Sequence, residues 1–161
     1  KSVLCYLHDT IEERNIADGS VGYYVGGMKE AQLKETESKK VVIATYAMAE
    51  EALDIKTLSS LILATPKTDV TQAVGRILRM KHKLPVVVDI VDQHDIFKRQ
   101  WDKRRRFYTK CNYSIQEISN TEYHPDFKTW HTIYSPQTGK KRSKYTKQEK
   151  VKLTGQCMLK M

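Results

Sequence analysis

The stretch Gln72-Ala73-Val74-Gly75-Arg76-Ile77-Leu78-Arg79 decides how this 161-residue chain is read. Wound as a helix at about 100° per residue, Gln72, Arg76 and Arg79 fall at about 0°, 40° and −20°, one narrow polar edge. Ala73, Val74, Ile77 and Leu78 take the opposite arc and can pack on a sheet. Gly75 flanks the polar edge and keeps it low, so that another surface can come close. Two planar guanidiniums on such an edge suit phosphate oxygens. Yet the chain contains no Gly-Lys-Ser/Thr phosphate loop and no Asp-Glu-x-His motif. An amphipathic surface helix with two solvated arginines would satisfy the same eight residues, so the rest of the chain has to discriminate.

Around this helix lie four short apolar runs bounded by turn or helix signals: Val21–Val25, Val41–Ala44, Leu61–Ala64 and Val86–Ile90. Runs of this length without alternation suit strands buried on both faces, as in a parallel sheet. Helical patterns separate them, over Lys29–Glu37, near Ala47–Ala52 and over Val70–Met80, and Ser2–Arg14 reads as an amphipathic helix before them. The alternation predicts an α/β fold with a mostly parallel sheet flanked by helices. Asp95–Lys110 is a further, strongly basic helix, with Phe97, Trp101, Arg105 and Tyr108 along the side expected to dock. Tyr113–Ile118 reads as an extra strand. From Ser119 onward the pattern weakens into a basic extension with scattered aromatics, partly disordered in expectation. Lys1 is not an initiator methionine, and the sequence reads as a fragment that opens in mid-fold.

Charge divides the chain. Residues 1–95 hold 12 Lys/Arg against 14 Asp/Glu, whereas residues 96–161 hold 16 against 5. The last 66 residues therefore look like an element that faces a polyanion. Six of the nine residues from Lys98 to Arg106 are basic, among them Lys98, Arg99, Lys103, Arg104 and Arg106. A solvated charged helix with its aromatics in the core is the alternative. Cys5, Cys111 and Cys157 are odd in number and far apart, which argues against a disulfide framework or zinc ribbon and for a reducing, intracellular setting. No apolar run approaches the roughly 18 residues of a membrane span.

In open α/β sheets, ligands sit beyond the carboxyl ends of the strands. Thr45 ends one apolar run, Thr65-Pro66-Lys67 ends another, and the Gln72–Arg79 helix follows directly. Asp54 precedes the Leu61 strand, where its carboxylate could accept bonds from ribose hydroxyls. In this order the pieces resemble the second RecA-like domain of superfamily 2 helicases. Thr45–Ile55 (TYAMAEEALDI) looks like helicase motif V, and Gln72–Arg79 has the Q-x-x-G-R-x-x-R pattern of motif VI. Val21–Gly27 is similar to a family segment that carries glycine after a strand. The likeness is strongest to helicases of large DNA viruses, including the poxvirus transcript-release type, and to the phage recombination helicase. In that group Ile62–Lys67, Val88-Asp89-Ile90 and Arg105–Tyr108 have counterparts too. It covers about residues 2–118, leaving 119–161 as the extension.

The resemblance implies an ATP-dependent motor acting on DNA or on a DNA–RNA complex, so that DNA, and RNA within such a complex, are the expected partners. ATP would lie between two RecA-like domains, and the N-terminal one would supply the phosphate loop and hold Mg2+. Arg79 would be the arginine finger, Arg76 its phosphate or interdomain partner, and Gln72 and Gly75 nucleotide-side residues. Asp54 would contact the ribose and Thr45 a phosphate of the bound strand, with Lys67 and the basic helix completing the nucleic-acid contact. Two departures stand out. Ala52 occupies a position where the family usually has glycine, and the strand that opens the domain would precede Lys1. Without a phosphate loop, this polypeptide alone should not hydrolyse ATP. A non-catalytic nucleic-acid-binding module on the same fold is the rival expectation.

Overall fold

The computed structural model describes residues 2–77, 82–136 and 156–158, which group into two compact units, 1–55 and 56–161. The structure is α/β throughout, with one sheet in each unit.

The first unit opens with α1 (Val3–Glu13), whose N-terminus is capped by Ser2 accepting the Cys5 N–H. Strand β1 (Val21–Tyr24) follows, then α2 (Glu30–Glu37), β2 (Val41–Ala44) and α3 (Tyr46–Glu51). β1 and β2 pair in parallel, Val21 beside Val41 through Tyr24 beside Ala44. Parallel neighbours need a crossover, and α2 supplies it. Gly22 lets α2 lie close to β1, because a Cβ there would stand 3.0 Å from Thr36 Cγ2. Ala17, Val21, Tyr24, Ile43 and Leu53 form the buried set, and Thr36 is buried with them.

The second unit runs β3 (Ser60–Leu63), α4 (Thr71–Ile77), β4 (Val86–Asp89), α5 (Asp95–Lys110), β5 (Ser114–Glu117), β6 (His131–Tyr134) and β7 (Gln156–Met158). Its sheet has the order β3-β4-β7-β5-β6, parallel except between β5 and β6, which are antiparallel with an irregularity between Ile115 and Gln116. Leu63, Val70, Val74, Val87, Val91, Trp101, Tyr108, Tyr113 and Ile115 build its interior. Ile118 and Trp130 close one end of it, with Val88 against them.

The predicted strands and helices are present with small shifts of their ends, and α5 spans Asp95–Lys110 as read. The strands expected in one mostly parallel sheet fall into two sheets, and β3 is not buried on both faces, since Ile62 is 63% exposed. Two further features differ from expectation. No strand was expected after Ile118, yet β6 and β7 both join the second sheet. The other is α5, whose docking side carries Arg104, buried to 3%, while Arg105 is exposed. The expectation of a disordered basic tail after Ser135 falls mostly on residues 137–155 and 159–161, outside the described set. Among the described residues, no helix is long and apolar enough to cross a membrane.

Candidate nucleotide and nucleic-acid interface

In the second unit, β3 delivers the chain into a loop, residues 64–70, that launches α4. Asp69 forms the turn at its end, its Oδ1 accepting the Thr71 N–H at 2.9 Å. That backbone bond, joined by the Thr71 side chain, holds the Asp69 carboxyl below its ordinary range. Val70, Ala73 and Val74 are only 1%, 3% and 0% exposed, which seats one side of α4 against the unit. Gln72 and Gly75 are exposed and Arg76 half-exposed on the other side. A Cβ built on Gly75 would meet no heavy atom within 4 Å. Among the described residues nothing requires the absence of a side chain at Gly75, and the glycine leaves open space beside the polar edge. Arg79 lies outside the described residues.

α5 is amphipathic in a specific sense. Trp101, Arg104 and Tyr108 are buried, and Lys98, Arg99, Lys103, Arg105, Arg106 and Lys110 are exposed. Four of the five basic residues of α5 expected to contact nucleic acid, Lys98, Arg99, Lys103 and Arg106, therefore stand on the solvent face. Arg104 is the correction. Its Nε donates to Asp89 Oδ2 at 2.7 Å and its Nη2 to Asp89 Oδ1 at 2.8 Å, while Nη1 donates to the Lys67 carbonyl. Tyr108 Oη adds a bond to Asp89 Oδ2 at 3.0 Å. A guanidinium 3% exposed and engaged in this way is not presented to a phosphate in solvent. Its Cζ also lies 6.0 Å from the centre of the Trp101 ring. Burial pushes the Asp89 carboxyl above its ordinary range, and the bonds from Arg104 and Tyr108 pull it back. Both carboxylate oxygens receive guanidinium N–H groups, the arrangement of an ion pair.

The structure thus brings Lys67, Lys103 and Arg104 to one place. Beside them an open hollow of about 290 Å³ is lined by Thr68, Asp69, Val70, Thr71, Lys103, Arg104 and Phe107. The Asp89 counter-charge was missed in the sequence, although an aspartate inside the apolar run Val86–Ile90 signals a buried partner.

In the first unit, Thr45 follows β2 and occupies the N-cap position of α3 in extended geometry, without a side-chain capping bond. It is half-buried and Asp54, beyond α3, is exposed. Ala52 has φ −109° and ψ −24°, ordinary right-handed geometry, and its carbonyl accepts from Tyr24 Oη at 3.2 Å. Alanine in place of the family glycine therefore introduces no backbone strain here. Among the described residues, no group of three His, Cys, Asp or Glu side chains is placed to hold a metal ion.

Comparison with known proteins gives the site its context. The chain is 43% identical over 119 residues to "Putative ATP-dependent RNA helicase L396" of Acanthamoeba polyphaga mimivirus, a match over 72% of this chain and 23% of that protein. It is 31% identical over 109 residues to "Putative ATP-dependent RNA helicase QP509L" of an African swine fever virus isolate, over 65% of this chain and 21% of that protein. A third relative, "Uncharacterized protein 108L" of Invertebrate iridescent virus 3, is 31% identical over 70 residues, 43% of this chain and 67% of that protein. The chain spans less than a quarter of the length of the two helicase relatives. No family model matches it, and neither does any solved structure.

Proposed function

The chain is a homologue of helicases of large DNA viruses, and from that premise we propose that it forms the second motor segment of an ATP-dependent superfamily 2 helicase or translocase. In this reading its parallel strand pairs are parts of a RecA-like layer, and an N-terminal RecA-like domain of the same protein completes the nucleotide site. When bound, ATP supplies the phosphoanhydride whose cleavage powers movement, with Mg2+ held by the domain that carries the phosphate loop.

The residues of this chain then have distinct tasks. Arg79 meets the charge that develops on the transferred phosphoryl group, a role worth about 10³–10⁵ in rate where it has been isolated. Arg76 and Gln72 hold the phosphates or the partner domain, and Gly75 admits that domain at close range. Asp54 accepts from ribose hydroxyls. Thr45, Lys67 and the outer face of α5, through Lys98, Arg99, Lys103 and Arg106, hold the backbone of the nucleic acid.

One observation carries the reading. On α4, Gln72, Gly75 and Arg76 point outward with open space above Gly75, and the other side of the helix is buried through Ala73 and Val74. The fit to a triphosphate is of the same kind: a half-exposed cation, Arg76, beside the open space at Gly75. The printed names of the mimivirus and swine-fever relatives make RNA the first substrate to try, beside DNA and an RNA–DNA hybrid.

The test is ATP hydrolysis by the complete gene product with and without each nucleic acid. Stimulation by at least one of them supports a motor. Salt-sensitive binding with no hydrolysis would instead assign the basic face of α5 to a non-catalytic binding module.

A further inference from the structure

Arg104 joins three parts of the second unit: the end of β4 through Asp89, the loop before α4 through the Lys67 carbonyl, and α5, on which it sits. Four residues separate Lys67 from Gln72, and the turn at Asp69 spans part of that distance with its bond to Thr71. The segment that sets the direction of α4 is therefore tied at both ends. Beside the tie, an open hollow is lined by Thr68–Thr71 of the loop and by Lys103 and Phe107 of α5, while Val70 anchors the end of the loop in the core. The neighbours of Arg104 on either side, Lys103 and Arg105, are exposed on the basic face.

We propose that Arg104 is a positioning residue that couples nucleic-acid contact on the outer face of α5 to the loop leading into α4. A phosphate backbone drawn to Lys98, Arg99, Lys103 and Arg106 shifts or stiffens α5. Arg104 passes that change to the Lys67 carbonyl, and from there to Gln72, Gly75 and Arg76. Asp89 and Tyr108 keep the guanidinium aimed while it does so. The inference rests on the nucleic-acid reading of α5, and it makes Arg104 a relay without contact to either ligand.

The test uses the complete gene product and hydrogen exchange, with single-stranded oligouridylate as the probe. Binding is expected to slow exchange at residues 65–72 by at least about fivefold in the wild type. Arg104→Lys keeps a cation beside Asp89, but a single ammonium cannot span the carboxylate and the carbonyl in one fixed fork. That variant should bind oligouridylate within about threefold of wild type, keep its melting temperature within a few degrees, and lose the change at 65–72. Tyr108→Phe, which loosens the carboxylate but leaves the guanidinium, should reduce the change without abolishing it, and it stands in should Arg104→Lys fail to fold. Binding without a change at 65–72 in wild type, or an undiminished change in both variants, overturns the coupling alone. A uniform loss of protection across the unit in Arg104→Lys makes Arg104 merely structural and also overturns it. Failure of wild type to bind the oligouridylate, or any nucleic acid, overturns the nucleic-acid reading beneath it.

Discussion

Gly75→Ala separates a helix that only packs from a helix that must be approached. Gly75 lies inside α4, and a Cβ placed there would find no heavy atom within 4 Å. The substitution therefore creates no clash among the described residues. In a helix interior alanine is favoured over glycine by about 0.5–1 kcal/mol, through the greater entropy that glycine loses on folding. For a segment of this size that corresponds to a rise in melting temperature of about 1–4 °C. Function should move the other way. A methyl group on the approach face displaces the incoming surface by about 1 Å, a misplacement that can cost about 10²-fold in rate where geometry is critical. The expected outcome is a complete protein as stable as wild type or slightly more so, with nucleic-acid-stimulated ATPase reduced about tenfold or more. Thermal melting and steady-state ATPase on the same preparation decide it. Full activity in Gly75→Ala would refute the claim that a second surface closes over this edge. A fall of several degrees in melting temperature would refute the account of α4 itself.

Three further outcomes follow from the geometry. Arg104→Ala leaves the Asp89 carboxylate buried without its counter-charge, so denaturant unfolding should show a loss of about 3–5 kcal/mol, whereas Arg105→Ala on the exposed side should cost less than about 0.5 kcal/mol. Lys103→Ala and Arg99→Ala should each weaken nucleic-acid binding about evenly across sequences and lower the salt slope by about one unit, measured by fluorescence anisotropy over a salt series. Asp69→Ala should destabilise α4 by about 1 kcal/mol or less near neutral pH, given how exposed the turn is. Because the Asp69 carboxyl is held low in the folded state, its contribution is present above its unfolded value and lost as pH falls through the folded one. Urea titrations at neutral and strongly acidic pH should therefore show the wild type and Asp69→Ala converging in acid.

Much of this architecture is legible in the residues because local signals and burial agree. The runs Val41–Ala44 and Val86–Asp89 form strands for the reason their composition suggests: β-branched side chains on a half-buried pleat. Ala73 and Val74 are buried where the helical period places them. The period alone could not choose between Arg104 and Arg105, which flank Trp101 on the wheel at about −60° and 40°. Asp89 makes the choice, and it lies fifteen residues away on another element. β6 was not foreseen for a related reason. His131 and Thr132 are exposed, and the strand owes its existence to antiparallel pairing with β5 and to Trp130, buried beside Ile118, rather than to an apolar pattern. Thr45 and Asp54 stand out in the sequence by their places after one apolar run and before another, and the structure places one half-buried after a strand and the other exposed in a loop.

The central claim is that the arginines of the Gln72–Arg79 segment complete a nucleotide site whose phosphate loop belongs to another domain. Its most direct test is single-turnover ATP hydrolysis by the complete gene product, wild type beside Arg79→Ala, with nucleic-acid affinity measured on both. The account predicts that hydrolysis falls by about 10²-fold or more while nucleic-acid affinity stays within a few-fold. Hydrolysis at the wild-type rate in Arg79→Ala would contradict it.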